Sequence, residues 1–235
     1  MYLYSINTII YTVTMGIPSY FSHIVRRHRK IIKQYDNTII NNLYLDSNSI
    51  IYDCLRDIDY KQDSCEIFEI ELYDNICNKI LEYINCLNPT KSVLIAFDGV
   101  APIAKLEQQR NRRYKSWFTK TLLQQHINTI STWDATAITP GTKFMDNIGI
   151  YINNYFSNPD ILKDNDLCNI NIIISSPNEA GEGEHKIYQH IRDNQQYHSE
   201  TITAIYGLDA DLIMLTLNHL HISKSMYLFR ETPYF

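Results

Sequence analysis

The apolar positions of this chain follow two alternating rhythms. Leu43-Tyr44-Leu45, Val93-Leu94-Ile95-Ala96-Phe97, Ile172-Ile173-Ile174 and Thr203-Ala204-Ile205-Tyr206-Gly207 are short, mostly continuous apolar runs of strand length. The 93–97 run lacks polar alternation, which predicts a strand buried on both faces. Met226 to Phe229 is a candidate last strand. Between the runs, apolar residues recur every three or four positions. Phe68, Leu72, Ile76, Ile80 and Ile84 make one stripe of an amphipathic helix over 64–87, ended by Asn88-Pro89. Phe144, Met145, Ile148, Tyr151, Ile152 and Tyr155 outline another helix after the turn Thr139-Pro140-Gly141. Ile50, Ile51, Cys54 and Leu55 have helical spacing after the first strand, and an apolar helix over 212–217 follows the fourth. A helix is also expected over 19–34, with Arg26 to Lys30 as a solvated basic face. Residues 119–137 read as the end of a long helix and a loop anchored by Trp133, and 157–169 as a polar connection.

Strands alternating with helices predict an α/β fold: a mostly parallel twisted sheet with helices on both faces. One domain over 15–235 is the simplest division, with 1–14 as an N-terminal extension before a second start at Met15-Gly16. The chain has 235 residues, enough for a sizeable core. With 45% hydrophobic and 20% charged residues it reads as globular. Five cysteines without a C-x-x-C pair argue against a zinc framework and are expected as buried packing residues in a reducing compartment. No run is long and apolar enough to span a membrane, and the first 14 residues contain no Lys or Arg. A cytoplasmic address is the default expectation, with the nucleus or a viral setting left open. The net charge of −5 argues against a uniformly basic nucleic-acid binder, so the distribution of charge carries the information.

That distribution points to one edge of the sheet. Acids follow each of the four strands: Asp46, Asp98, Glu182 with Glu184, and Asp209 with Asp211. Each alone has a structural reading as a helix cap or solvated turn. In a parallel sheet, however, all C-terminal strand ends lie on one side, where ligands bind. Six carboxylates meeting there suit hard divalent cations, Mg²⁺ or Mn²⁺. Two such ions about 4 Å apart activate a water and stabilise the leaving oxygen of a phosphodiester. Lys105, Gln109, Arg112 and Arg113 recur at i, i+4, i+7 and i+8, on one helical face beginning beside Asp98. They form either a solvated basic face or a phosphate clamp. His185 and His23 are expected in structural or surface roles. Glu179 is expected to shape the turn or cap the following helix.

The blocks Met15-Gly16-Ile17-Pro18-Ser19-Tyr20-Phe21, Leu43-Tyr44-Leu45-Asp46-Ser47-Asn48, Phe97-Asp98-Gly99-Val100-Ala101-Pro102, Gln108-Gln109-Arg110, Ile138-Thr139-Pro140-Gly141-Thr142, Gly181-Glu182-Gly183-Glu184-His185-Lys186 and Tyr206-Gly207-Leu208-Asp209-Ala210-Asp211-Leu212 occur in this order. Together they resemble the N-terminal region of the XRN 5′→3′ exoribonucleases. The resemblance implies a nuclease fold related to flap endonucleases and PIN domains. It implies Mg²⁺-dependent stepwise hydrolysis of single-stranded RNA bearing a 5′-monophosphate. It places Asp46, Asp98, Glu182, Glu184, Asp209 and Asp211 at the metals and Lys105, Gln109, Arg112 and Arg113 around the 5′-phosphate. Tyr52 stands where the family places a base-stacking His, and a tyrosine ring also stacks. Ile103 replaces a position often basic in the family. The family's further Asp, in a downstream block, has no counterpart in these residues. An alternative expectation is therefore a catalytically incomplete RNA 5′-end-binding fragment, or one part of a split nuclease completed by a second chain. A structure-specific DNA nuclease and a haloacid-dehalogenase-type phosphatase are further alternatives. The phosphate-binding residues oppose the first. Asn48, where a second Asp is needed, opposes the other.

Overall fold

The computed structural model describes residues 20–35, 37–58, 60, 64–126, 133–223 and 225–230. The expected extension over 1–14 lies outside them. Five strands, β1 (Asn42–Asp46), β2 (Ser92–Ala96), β3 (Asn171–Ser175), β4 (Thr203–Tyr206) and β5 (Met226–Phe229), form one sheet in the order β3-β2-β1-β4-β5. Every pairing is parallel. Asp46 is level with Ala96, and Ala96 with Ser175, so the strands end side by side. The order reverses at β1: β2 and β3 are added on one side and β4 and β5 on the other. A crevice outside the strand ends opens where connections diverge in this way.

The strands alternate side chains between two cores. Leu43, Leu45, Val93, Ile95, Ala204 and Tyr206 pack with the helices α2 (Asn48–Asp57), α3 (Cys65–Leu87) and α5 (Lys143–Phe156). Tyr44, Leu94, Ala96 and Ile205 pack with α7 (Gly183–Asp193) and α9 (Asp211–Asn218). Both faces of the sheet are covered, so its strands lack polar alternation. The stripe from Phe68 to Ile84 on α3 is buried throughout, as periodicity predicts. Ser64 caps α3 by accepting from Ile67 N, and Asn88 ends it in the left-handed region at φ 44°. At the strands' N-terminal ends, the buried Asn42 amide donates to Thr201 and Thr203. Its oxygen accepts from Ser92 and Tyr197, so all its polar capacity there is used.

Several expectations are corrected. The helix expected over 19–34 is α1 (Tyr20–Arg27), followed by a 3-10 turn over Arg29–Ile31. None of its residues is buried, so propensity alone does not carry it past His28. The polar connection 157–169 contains α6 (Pro159–Asp164), started by Asn158 accepting from Asp160 N and by Pro at the first helical position. A further short helix, α8 (Gln195–Ser199), precedes β4. Of the cysteines, Cys54 and Cys77 are buried as expected. Cys65, Cys86 and Cys168 are exposed, the first two on solvent-facing positions of α3. Trp133 is buried against Phe68 and Phe144, as its anchoring reading requires.

Candidate active site

Asp46 is the last residue of β1. Asn48, two residues on at the start of α2, accepts the Asp98 backbone N–H at 3.0 Å and ties the β1 and β2 exits together. The Asp98 carboxylate in turn accepts the Gly183 N–H at 2.7 Å, in the first turn of α7. Gly183 is required there: a Cβ would stand 2.6 Å from Asp46 Oδ1 and 3.1 Å from Ala96 O. The loop before α7 is pressed against the one after β2. Gly99 N donates to Gly181 O at 2.8 Å and Gly181 N to Val100 O at 3.0 Å. Gly181 has φ 106°, a conformation open to glycine.

The acids of the 179–184 stretch divide in role. Glu179 accepts from Ser175 Oγ at 2.5 Å and from Ser176 N at 3.4 Å, so it shapes the turn and caps no helix. Glu182 occupies the N-cap position of α7 without making a side-chain cap bond. Its carboxylate instead accepts from Lys105 Nζ at 2.5 Å. Glu184 lies 3.8 Å from the same ammonium, and its second oxygen, Oε2, is buried with no hydrogen-bond partner among the described residues. Lys105 lies in the first turn of α4 (Ile103–His126). Burial works against its charge, but the Glu182 hydrogen bond and the charges of Glu182, Glu184 and Asp211 hold its pKa above the usual value.

The electrostatics agree with crowding. Burial and then Asp98, Glu184, Asp209 and Glu182 push the Asp46 carboxyl well above its ordinary range. Asp98 is raised by burial and by Glu182, against the Gly183 N–H, Lys186 and Lys105. Glu184 is pushed up to about 7 by burial, which Lys105 opposes and Glu182, Asp209 and Asp211 reinforce. Asp209 is exposed in the loop after β4, and Asp211 opens α9 at a partly buried position, whereas Glu182 and Glu184 are buried. Arg230, after β5, donates to Leu208 O and lies 3.8 Å over the Phe21 ring, bracing that loop.

The predicted cationic face continues along α4. Arg113 donates to Gln109 at 3.3 Å. Arg112 and Arg113 line a cleft with Tyr52, Ser116, Trp117 and Trp133. Tyr52 is 40% exposed, and its hydroxyl is raised by burial and Asp98 but lowered by Arg112 and Arg113, which places it between the acids and the arginines. His23 is exposed, as expected of a surface residue. His185 is half-exposed, consistent with a surface position, and its Nε2 lies 3.6 Å from Glu182 and 3.8 Å from Glu184. The three residues offer ligand atoms within 4.8 Å of one another. Only its adjacency to the glutamates hinted at this. Lys186, not singled out in the sequence, donates to Phe97 O and Ser176 O at 2.8 Å each.

The donor set fits a hard cation. Its oxygens are carboxylates, one of them buried without a hydrogen-bond partner among the described residues, and burial, reinforced by their mutual repulsion, raises proton affinity where no cation neutralises them.

Comparison with known proteins agrees with this arrangement. Residues 15–232 match the family model described as XRN 5'-3' exonuclease N-terminus. The chain is 34% identical over 249 residues to the 5'-3' exoribonuclease 2 of Kluyveromyces lactis, an alignment covering 86% of this chain and 24% of that protein. It is 36% identical over 217 residues to the Saccharomyces cerevisiae 5'-3' exoribonuclease 1, covering 87% and 14%. The human 5'-3' exoribonuclease 1 is 35% identical over 220 residues, covering 86% and 12%. The chain thus spans a quarter or less of the length of these relatives. With the family's blocks matched from Met15 onward and the acids gathered at the ends of a parallel sheet, the chain belongs to the XRN 5'-3' exonuclease N-terminus family.

Proposed function

We propose that this chain is the nuclease core of a 5′→3′ exoribonuclease. It hydrolyses single-stranded RNA stepwise from a 5′-monophosphate, releasing mononucleotides. The observation that supports this most is the juxtaposition at Lys105: the first cation of the α4 face is hydrogen-bonded to Glu182 of the acid cluster. One end of the cationic face of α4 therefore touches the acid cluster.

In this reading Asp46, Asp98, Glu182, Glu184, Asp209 and Asp211 hold two Mg²⁺ or Mn²⁺ ions. Bound there, the ions supply Lewis-acid charge to a scissile phosphodiester and its water. Lys105, Gln109, Arg112 and Arg113 bind the 5′-phosphate, with the two guanidiniums suited to its planar oxygen pairs. Tyr52 stacks on the terminal base beside them. Fixing the 5′ end at a set position along α4 brings one phosphodiester to the acids and excludes bulkier ends.

The test is incubation of this chain with 5′-monophosphorylated and 5′-hydroxyl RNA in Mg²⁺ or Mn²⁺. The expected result is mononucleotide release from the phosphorylated RNA only. Asp209→Ala, at an exposed position, is expected to lower turnover at least about a hundredfold with little change in melting temperature. Equal degradation of both RNAs contradicts end recognition. Tight retention of phosphorylated RNA without cleavage assigns a binding role instead.

A further inference from the structure

Lys186 has no part in the roles above, yet it sits directly behind them. It lies on the first turns of α7, two residues after Glu184. Its ammonium donates to Phe97 O and Ser176 O, both at 2.8 Å. These carbonyls belong to the exits of neighbouring strands, β2 and β3, just past the ladder bond from Phe97 N to Ser175 O at 3.0 Å. Among the described residues no carboxylate stands within ion-pair distance of Lys186, so its hydrogen-bonding capacity goes to the backbone. Phe97 is fully buried, and its carbonyl leads straight into Asp98. Asp98 then returns to α7 by accepting the Gly183 N–H at 2.7 Å. The connection closes on itself: Lys186 to Phe97, on to Asp98, back to Gly183, and along one helical turn to Lys186.

We propose that Lys186 is a positioning residue for the cation site: by clamping Phe97 O and Ser176 O it holds Asp98 against α7, and so sets where Asp98 stands relative to Glu182 and Glu184. The inference rests on the reading of those acids as cation ligands. A lysine suits the task because a flexible stem carries three donors to a point, whereas the arginine fork spreads its donors in a plane. Groups that orient metal ligands without touching the ion govern affinity through geometry.

Position and charge predict opposite signs here. A cationic group beside a cation site repels the ion, so removing the charge alone tightens binding. Removing a clamp loosens the ligands and weakens binding. Mn²⁺ titration calorimetry on the RNA-free chain distinguishes them, at a temperature where circular dichroism shows each protein folded. Lys186→Met keeps the stem and deletes charge and donors. It is expected to weaken Mn²⁺ binding about tenfold. Lys186→Gln, which restores amide donors without charge, is expected to fall between it and the wild type. If Lys186→Met does not fold, Lys186→Gln alone decides, and must bind Mn²⁺ more weakly than wild type. Mn²⁺ binding as tight as wild type, or tighter, in the folded variants overturns the positioning role. Failure of the wild-type chain itself to bind Mn²⁺ overturns the cation reading, and the inference with it.

Discussion

Glu184 is an acid held where its protonated form is favoured. Its pKa of about 7, against 4.5 for an unperturbed glutamate, means the folded state takes the proton more readily than the unfolded chain. The sign follows from linkage. Below pH 4.5 the residue is protonated in both states and costs nothing. As pH rises from 4.5 to 7 the unfolded state ionises first and gains, so stability falls. Above 7 the loss is complete, at about 3 kcal/mol. The buried His198, lowered to about 4 by burial and by His190, acts in the opposite sense over an overlapping window. It withholds stability as pH falls from 6.5 toward 4. Comparison with Glu184→Gln separates the two. Without metal, the stability advantage of Glu184→Gln over wild type is expected to grow between pH 5 and pH 8, measured by denaturant unfolding. An advantage constant across that range contradicts the burial argument. The sequence located Glu184 as one acid of six. That its Oε2 is buried without a partner among the described residues depends on what α4 and α7 bring beside it, which no local pattern records.

At the scale of elements, α7 matters most. Its first turn must come within reach of both β1 and β2, and only a residue without a side chain permits that approach at Gly183. Gly183→Ala adds a Cβ 2.6 Å from Asp46 Oδ1 and 3.1 Å from a backbone carbonyl that cannot swing away. The expected result is a loss of about 1–3 kcal/mol in stability, as for overpacking elsewhere. Mn²⁺ affinity is expected to fall with it, because Asp46 and Asp98 both border the glycine. Melting temperature and calorimetry check the two parts separately. Helices that bury a stripe, α3 and α5, were legible from periodicity because packing follows the period. Elements that bury little leave no such period in the sequence. α1 is shorter than expected and buries none of its residues. The short α6 buries no residue, and Asn158-Pro159 is its one local start signal.

At the scale of the whole molecule, the sheet order β3-β2-β1-β4-β5 brings the β1 and β4 exits to the point where the connections diverge. Acids from residues 46 to 211 thereby share one crevice. Such convergence costs stability unless neutralised, so a divalent cation should stabilise the fold by mass action. Mn²⁺ at about a hundred times its dissociation constant is expected to add about 2.7 kcal/mol, seen as a rise of several degrees in melting temperature. A chelator should reverse it. A melting temperature indifferent to Mn²⁺ contradicts the cation reading independently of any RNA experiment.

The sequence by itself determined the alternation of strand and helix, the direction of the strands, and the residues standing at their ends. These follow from period, run length and the geometry of parallel crossovers, all local properties of the chain. Tertiary structure decided the rest. It split Glu179 from Glu182 and Glu184, giving the first to Ser175 and turning the others toward Lys105. It brought His185 within ligand distance of both glutamates, and it set Lys186 behind Asp98. These five residues of one stretch therefore differ in their contacts because α7 enters the crevice at one angle. That angle is set by the packing of Ile187, Tyr188 and Ile191 on the sheet, and by the absence of a side chain at Gly183.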